Sequence, residues 1–265
     1  MGLTAVFGAG VMGEAILSGL LKSGRQPAEL AIVERSEPRV AEIRQRYGVG
    51  ALELADAAAQ ADTLLLIVKP QDMGALVDQI APHISSSALV VSLAAGITTA
   101  FLEQRLPDGV AVVRVMPNTP ALVHQGMAAL SAGTSCSGAQ LTAAEALLRA
   151  VGKAVLVPED QQDAVTAVSG SGPAYVFYLA EAMIQAGVKL GLPLDTATEL
   201  TIQTVLGAAT MMRETGESPS VLRQKVTSPA GTTAAAIHQL DEHLVPEAFL
   251  IALEAARDRS RELGA

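Results

Sequence analysis

Short β-branched segments alternate with alanine-rich segments along the first part of the chain, and this alternation constrains the fold more than any other feature. Strand-like segments such as "LTAVFG", "LAIVER" and "TLLLIV" are each followed by a helix-like segment such as "GVMGEAILSGLLKSG". Repeated strand-helix units of this length favour right-handed crossovers and a parallel sheet covered on both faces. The pattern therefore predicts a doubly wound α/β domain of the Rossmann type.

The strand pattern ends near Pro158, and long helical segments such as "LDTATELTIQTVLGAATMMRETG" follow it. We therefore predict two domains, a Rossmann dinucleotide-binding domain at residues 1–160 and an all-α domain at 161–265. The helical stretch 174–190 is apolar around most of its circumference, so it must be buried on most sides. A domain of about one hundred residues cannot easily enclose such a helix. We expect two subunits to interleave these helices, and a central helix in a monomeric bundle is the alternative.

A glycine-rich motif, "GAGVMG", joins the first predicted strand to the first predicted helix. In a dinucleotide-binding fingerprint, the first glycine permits a tight turn, the second lets the backbone approach a pyrophosphate, and the third lets the helix pack close to the strand. The N–H groups at the start of the helix then face the phosphates. The motif predicts cofactor contacts from Gly8, Gly10, Val11, Met12 and Gly13.

Glu34, Arg35 and Ser36 lie where the second strand is expected to end, and residues at this place distinguish NAD from NADP. A carboxylate there accepts hydrogen bonds from a ribose and repels a 2′-phosphate, whereas Arg35 and Ser36 can bind that phosphate. The two signals conflict. We favour NADP(H) as the cofactor and keep NAD(H) as the alternative.

Composition excludes several other classes of protein. The chain has 18 Lys and Arg against 27 Asp and Glu, a net charge of −9, which would repel a nucleic acid. Its apolar runs are far shorter than the ~20 residues of a membrane span, and no secretion signal opens the sequence, so a cytoplasmic location is expected. Cys136 is the single cysteine and the four His are scattered, so no metal site is predicted.

Several longer strings, taken in order, resemble the pyrroline-5-carboxylate reductase family. They include "GAGVMGEAILSGL", "VKPQDM", "VSLAAGIT", "RVMPNTPALV", "VSGSGPAYVFYLAEAM" and, most specific, "VTSPAGTTAAAIHQLDE". The resemblance implies reduction of 1-pyrroline-5-carboxylate to L-proline by hydride from NAD(P)H, the last step of proline biosynthesis. It also implies a homodimer formed by the helical domain, with dimers joined into a higher ring such as a decamer.

The same resemblance assigns individual residues to the site. It implies that Ser228, Thr233 and the N–H groups of Gly231 and Thr232 hold the substrate carboxylate, with Thr233 and Glu217 near the ring nitrogen. The family more often has glycine in place of Ala230, and alanine disfavours a positive φ, so either this position uses an ordinary conformation or the loop differs slightly. Further cofactor contacts are implied for Val68, Lys69, Pro70, Ala94, Ala95 and Asn118.

The loop chemistry agrees with a carboxylate site, because hydroxyls and N–H groups that precede a helix form an anion site strengthened by the helix dipole. A threonine that merely caps the helix is the simpler alternative. Related hydroxyacid dehydrogenases place a lysine where this chain has Val176, which cannot transfer a proton. Two other functions stay open: a related imino-acid reductase, or a nucleotide-binding regulator without turnover.

Overall fold

The structure is a computed structural model that describes residues 2–264. Within that range eight strands form one sheet, namely β1 (Thr4–Phe7), β2 (Leu30–Val33), β3 (Gly50–Ala51), β4 (Thr63–Leu66), β5 (Leu89–Ser92), β6 (Ala111–Met116), β7 (Gly126–Ala132) and β8 (Gly152–Leu156). The first helices of the same range are α1 (Val11–Lys22), α2 (Glu37–Tyr47), α3 (Leu54–Gln60), α4 (Pro70–Ile80), α5 (Thr99–Glu103) and α6 (Gly138–Arg149). The remaining helices are α7 (Gln162–Val165), α8 (Gly172–Lys189), α9 (Leu194–Thr215), α10 (Pro219–Lys225), α11 (Thr232–Glu242) and α12 (Val245–Gly264).

The sheet has the strand order β3-β2-β1-β4-β5-β6-β7-β8, which confirms the predicted doubly wound class. The order reverses between β1 and β4, and in such sheets ligands bind in the crevice outside the carboxyl ends of the strands at this point. The glycine-rich motif follows β1 directly. The fold therefore places the motif at the expected binding crevice.

The sheet departs from the fully parallel expectation at β7, which pairs antiparallel with β6. This strand has the sequence GMAALSA and was not predicted, because it lacks the β-branched residues that mark the other strands. The short strand β3 and helix α3 were also not predicted. Both lie close to the crevice, so their absence from the prediction affects the site.

Side chains alternate between two apolar cores, one on each face of the sheet. In β1, Val6 belongs to one core, whereas Ala5 and Phe7 belong to the other. Because central strands such as β1 and β5 are buried on both faces, they read as nearly continuous apolar runs. This arrangement accounts for the high apolar content without any membrane segment: among residues 2–264, no helix is both long and apolar enough to cross a bilayer.

The chain between Pro158 and α8 does not form one continuous helix. A 3-10 turn at Glu159–Gln161, the short α7 and a π turn at Thr166–Gly170 precede α8. Gln162 is fully buried and anchors this stretch to β7, because its amide nitrogen donates to the carbonyl oxygen of Ala129 and to Ser131 Oγ at 3.3 and 2.8 Å.

The described residues form two compact units. One unit contains the residues up to Ser171 together with the end of α12 from Ala256, and the other contains Gly172–Ala255. Contacts such as that of Gln162 with Ser131 on β7 keep residues 159–171 in the first unit. In the same unit, Ser260 Oγ donates to Asp163 Oδ1 at 2.7 Å, which ties the end of α12 to α7.

The helical unit Gly172–Ala255 leaves many large apolar side chains exposed in the single chain. Phe177 is 64% exposed and Leu190 is 86% exposed, and none of the residues of α8 is buried. A contiguous apolar surface of this kind marks a protein–protein interface in a folded protein. The single chain therefore does not provide the burial that the sequence of α8 requires.

Candidate active site

The three glycines of the 8–13 motif have different geometric constraints. Gly8 has a φ of 99°, and a Cβ atom there would lie 2.4 Å from the carbonyl oxygen of Ile67. A Cβ atom on Gly13 would lie 2.1 Å from the carbonyl oxygen of Gly8, so only glycine lets α1 pack this close to the loop. A Cβ atom on Gly10 would meet no atom within 4 Å. Gly10 therefore leaves its backbone open to a ligand, as the fingerprint requires.

A cleft of about 760 Å³ lies beside this loop, within the size range of cofactor sites. Six of the predicted cofactor residues line the cleft: Gly8, Gly10, Glu34, Arg35, Val68 and Lys69. Other lining residues were not predicted, among them Leu52, Glu53, Leu54, Gln71 and Asp72. Three of these missed residues follow β3 or begin α3, the elements that the sequence pattern did not indicate. The remaining two belong to α4, one and two residues beyond the predicted Pro70.

The backbone of Ala9, in the middle of the glycine loop, is bound by charged side chains on both sides. Its N–H donates to Glu34 Oε2 at 2.9 Å, and its carbonyl oxygen accepts from Arg39 Nε at 2.8 Å. The other carboxylate oxygen of Glu34 accepts from the N–H of Ser36 at 3.1 Å. Glu34 therefore contacts the loop directly, a contact that the sequence did not predict.

Arg39 also belongs to a closed ring of four charged side chains that joins α1 to α2. Its Nη2 pairs with Glu14 and its Nη1 with Glu42, and Arg46 pairs with the other oxygen of each of these two carboxylates. The Tyr47 hydroxyl donates to Glu14 Oε1 at 2.8 Å. The ring thus holds the Arg39 guanidinium beside the glycine loop.

Glu14 is partly buried in this ring, and two opposing effects act on its pKa. Burial raises the pKa of the carboxyl group, but hydrogen bonds from Arg39, Tyr47 and Arg46 outweigh it, so the pKa is lowered from its ordinary value of 4.5. The hydrogen bond to Glu14 raises the pKa of Arg39 in turn. Both shifts favour the charged forms, so the ring is an ionic network at neutral pH.

The predicted cofactor residues Pro70, Ala94, Ala95 and Asn118 follow strands β4, β5 and β6. Pro70 begins α4, Ala94 is buried, and Ala95 is partly buried. The Asn118 side chain is engaged internally: its Nδ2 lies 3.2 Å from the carbonyl oxygen of Ser169, and its Oδ1 accepts from the N–H of Met127 at 2.8 Å. Asn118 thus positions the backbone after β6.

The predicted substrate loop forms a tight turn at Ser228–Gly231. The N–H of Gly231 donates to the carbonyl oxygen of Ser228 at 3.0 Å, Pro229 takes the second position, and Ala230 takes the third with a φ of 58°. Proline followed by a residue with positive φ is the signature of a type II turn, which favours glycine at the third position. Ala230 therefore does not use an ordinary conformation but adopts the left-handed one.

Helix α11 begins at Thr232, directly after this turn. Gly231 is its N-cap residue and has no side chain to accept a hydrogen bond from the first turn of the helix. The Ser228 hydroxyl lies over Gly231, because a Cβ atom on Gly231 would be 2.5 Å from Ser228 Oγ. The Ser228 hydroxyl thus lies close to the start of α11, and the partly exposed Thr233 is in the first turn of that helix. Such a group of donors suits a small anion.

Glu217 lies between α9 and α10, and its carboxylate pairs with Lys225 at 2.5 Å. Lys225 is the last residue of α10 and comes just before the substrate loop. The ion pair thus links the Glu217 region to the start of that loop. Lys225 was not predicted, because a lysine eight residues from a glutamate carries no signal in the sequence.

The doubly wound sheet, the glycine loop at its crevice and the separate helical unit define a two-domain oxidoreductase that uses a dinucleotide. Two protein-family models match the chain. The model described as pyrroline-5-carboxylate reductase dimerisation matches residues 159–263. The model described as NADP oxidoreductase coenzyme F420-dependent matches residues 4–96. The chain belongs to the pyrroline-5-carboxylate reductase family.

Individual members show how close the relation is. A pyrroline-5-carboxylate reductase of Corynebacterium melassecola is 47% identical, with 98% of each chain covered. The solved structure of the reductase from Coxiella burnetii has a TM-score of 0.95 and 38% identity, covering 100% of this chain and 99% of that one. The structure of pyrroline carboxylate reductase from Plasmodium falciparum, solved with NADP bound, has a TM-score of 0.88 and 27% identity, covering 99% and 98%.

Proposed function

We propose that this protein reduces 1-pyrroline-5-carboxylate to L-proline with a hydride from NAD(P)H, the last step of proline biosynthesis. Membership of the family over almost the full chain carries this proposal. The glycine loop and the loop before α11 support it independently, because the reaction needs one site for a dinucleotide and one for a small carboxylate.

The substrate carboxylate binds at the turn before α11. Ser228 and Thr233 donate hydrogen bonds from their hydroxyls, and Gly231 and Thr232 donate from their backbone N–H groups. The helix dipole adds to this attraction. Because all these donors are neutral, the carboxylate is held without a buried arginine, and the turn geometry at Ser228–Gly231 supports this arrangement.

The chemical step moves one hydride to the carbon of the C=N bond and places one proton on the nitrogen. When bound, the reduced nicotinamide supplies the hydride. The substrate nitrogen can be protonated before the hydride arrives, so the protein has to orient the ring and exclude water more than supply an acid. Thr233 positions the nitrogen by a hydrogen bond, and Glu217 contributes negative charge near it. The partly exposed ion pair with Lys225 holds the Glu217 carboxylate in place.

The dinucleotide lies along the glycine loop and the cleft beside it, and NADP(H) is preferred over NAD(H). Arg35 lines the cleft, and the Ser36 hydroxyl follows it in sequence. Glu34 directs its carboxylate to the N–H groups of Ala9 and Ser36, which reduces its repulsion of a 2′-phosphate. Val68, Lys69, Pro70, Ala94 and Ala95 border the rest of the cofactor, and Asn118 holds the nearby backbone.

Two subunits form a homodimer through the helical domain, and their helices interleave. The exposed apolar side chains of α8 and α9 support this proposal, because a monomeric bundle would bury them. Dimers can join into a larger ring such as a decamer. A domain boundary near residue 160 and a cytoplasmic location also stay predictions.

The test is the substrate-dependent loss of reduced-nicotinamide absorbance with 1-pyrroline-5-carboxylate, using NADPH and NADH in parallel. We expect Thr233→Ala to lower kcat/KM by about tenfold, because it removes one hydrogen bond to a charged group. Thr142→Ala is the matched control: Thr142 is exposed and its hydroxyl donates to the carbonyl oxygen of Gly138 within α6, so activity stays unchanged.

Two results would contradict the proposal. A folded protein that binds NADPH without turnover would favour the nucleotide-binding regulator. Faster turnover of a six-membered cyclic imino acid than of the five-membered one would favour the related imino-acid reductase.

A further inference from the structure

Two charged side chains bind the backbone of the glycine loop. Ala9 is 1% exposed, yet both polar groups of its backbone are bound by charged side chains, Glu34 at the N–H and Arg39 at the carbonyl oxygen. The N–H and the carbonyl of one residue belong to successive peptide groups, so these two contacts fix the orientation of both. The second of those peptide groups leads directly into Gly10, whose backbone faces open space.

Arg39 can hold this orientation because its guanidinium is itself immobilised. Two of its three nitrogens bond to Glu14 and Glu42, which leaves Nε directed at the loop. Arg46 closes the ring by bonding to both of these carboxylates. A planar fork with several donors suits this task, whereas a lysine could satisfy only part of it.

We infer that Arg39 is a positioning residue for the dinucleotide, and that with Glu34 it presets the glycine loop before the cofactor binds. This inference rests on the proposed function, because it takes the loop as the cofactor site. A preset loop raises affinity by removing the cost of ordering the loop on binding. The effect acts on the common diphosphate part of both cofactors and does not depend on the 2′-phosphate.

Equal effects on the two cofactors distinguish positioning from direct contact. If Arg39 acts through the loop, its loss weakens the binding of NADPH and of NADH by the same factor. If Arg39 attracted the 2′-phosphate itself, the affinity for NADPH would fall more than the affinity for NADH. Arg35 provides the comparison, since its replacement is expected to weaken NADPH more than NADH.

The experiment measures the Kd of NADPH and NADH by calorimetry on the full-length protein and its variants. We expect Arg39→Met to raise both Kd values by about tenfold, and Arg39→Lys by about threefold, because one hydrogen bond to a charged group is lost or weakened. The KM for 1-pyrroline-5-carboxylate at saturating cofactor stays unchanged. Arg44→Met is the matched control, since Arg44 is exposed on the same helix and bears the same charge.

Glu14→Ala is a second variant that leaves Arg39 in place but opens the ring, and it keeps the inference testable if Arg39→Met does not fold. We expect it to raise both Kd values by about threefold. Unchanged Kd values in folded Arg39 variants would overturn the inference, as would a loss confined to NADPH. Failure of the parent protein to bind either cofactor would instead contradict the proposed function.

Discussion

Gly231→Ala tests the substrate loop with a single added methyl group. Gly231 has a φ of −80° and a ψ of 171°, a conformation that alanine adopts without strain. The new Cβ atom would lie 2.5 Å from Ser228 Oγ and 3.1 Å from the carbonyl oxygen of Ser228. The hydroxyl must therefore rotate away, while the backbone of the turn is nearly preserved.

The expected effect follows from the hydrogen bond that the Ser228 hydroxyl would lose. A hydrogen bond to a carboxylate contributes about 1.5–3 kcal/mol, so the KM for 1-pyrroline-5-carboxylate should rise by about tenfold or more. The affinity for NADPH should not change. Alanine is a poorer N-cap residue than glycine, and this costs about 1 kcal/mol of stability at most.

A double-mutant cycle with Ser228→Ala is the decisive assay. If Gly231→Ala acts by displacing the hydroxyl, it has little further effect on KM once that hydroxyl is gone. Gly138→Ala is the control, because a Cβ atom at this first position of α6 meets no atom within 4 Å. Fully additive effects on KM would refute the reasoning, as would a variant that loses stability but keeps its KM.

Other predictions concern the cofactor loop, the core and pH. Gly10→Ala should weaken NADPH binding without lowering Tm. Gly13→Ala should weaken NADPH binding and also lower Tm, because the new Cβ atom would lie 2.1 Å from a carbonyl oxygen. Calorimetry measures the binding, and thermal unfolding at fixed protein concentration measures Tm. Glu159→Ala should destabilise by about 3 kcal/mol in urea unfolding, because it leaves the 8%-exposed Arg114 without its carboxylate. Folding lowers the pKa of Glu14, so its contribution to stability is present above pH 4.5 and lost as pH falls further; the Tm difference from Glu14→Gln should shrink below that pH.

The sequence predicted the parts of the fold that depend on local pattern. The β-branched runs that became β1, β2, β4, β5 and β6 lie next to helices with clear apolar faces, so periodicity was sufficient to find them. The glycine motif was equally recognisable, because a Cβ atom at Gly8 or Gly13 would clash with a carbonyl oxygen and Gly10 leaves its backbone accessible. The strand β7 was missed since its glycine and alanines carry no strand preference and pair only through their tertiary context.

The substrate loop shows where local reasoning reached its limit. The sequence indicated hydroxyls and a helix start, and both are present at Ser228–Thr233. It left the conformation of Ala230 open, because a residue type states a preference for φ but not its value. The structure gives the left-handed conformation there, at a cost of roughly 1–2 kcal/mol. The Ser228–Gly231 hydrogen bond and the start of α11 hold the turn against that preference.

The contacts of Arg39 could not be predicted from the sequence, and the reason is physical. Its partners Ala9 and Glu14 lie 30 and 25 residues away, so their proximity depends on how β1, α1 and α2 pack. A sequence shows Arg39 and Glu42 as an ordinary surface pair on one helix, which contributes little to stability. Only the crossover from β1 through α1 to β2 brings the guanidinium behind the glycine loop. The motif thus identifies which residues face the dinucleotide, whereas the tertiary fold decides which residues hold the motif in shape.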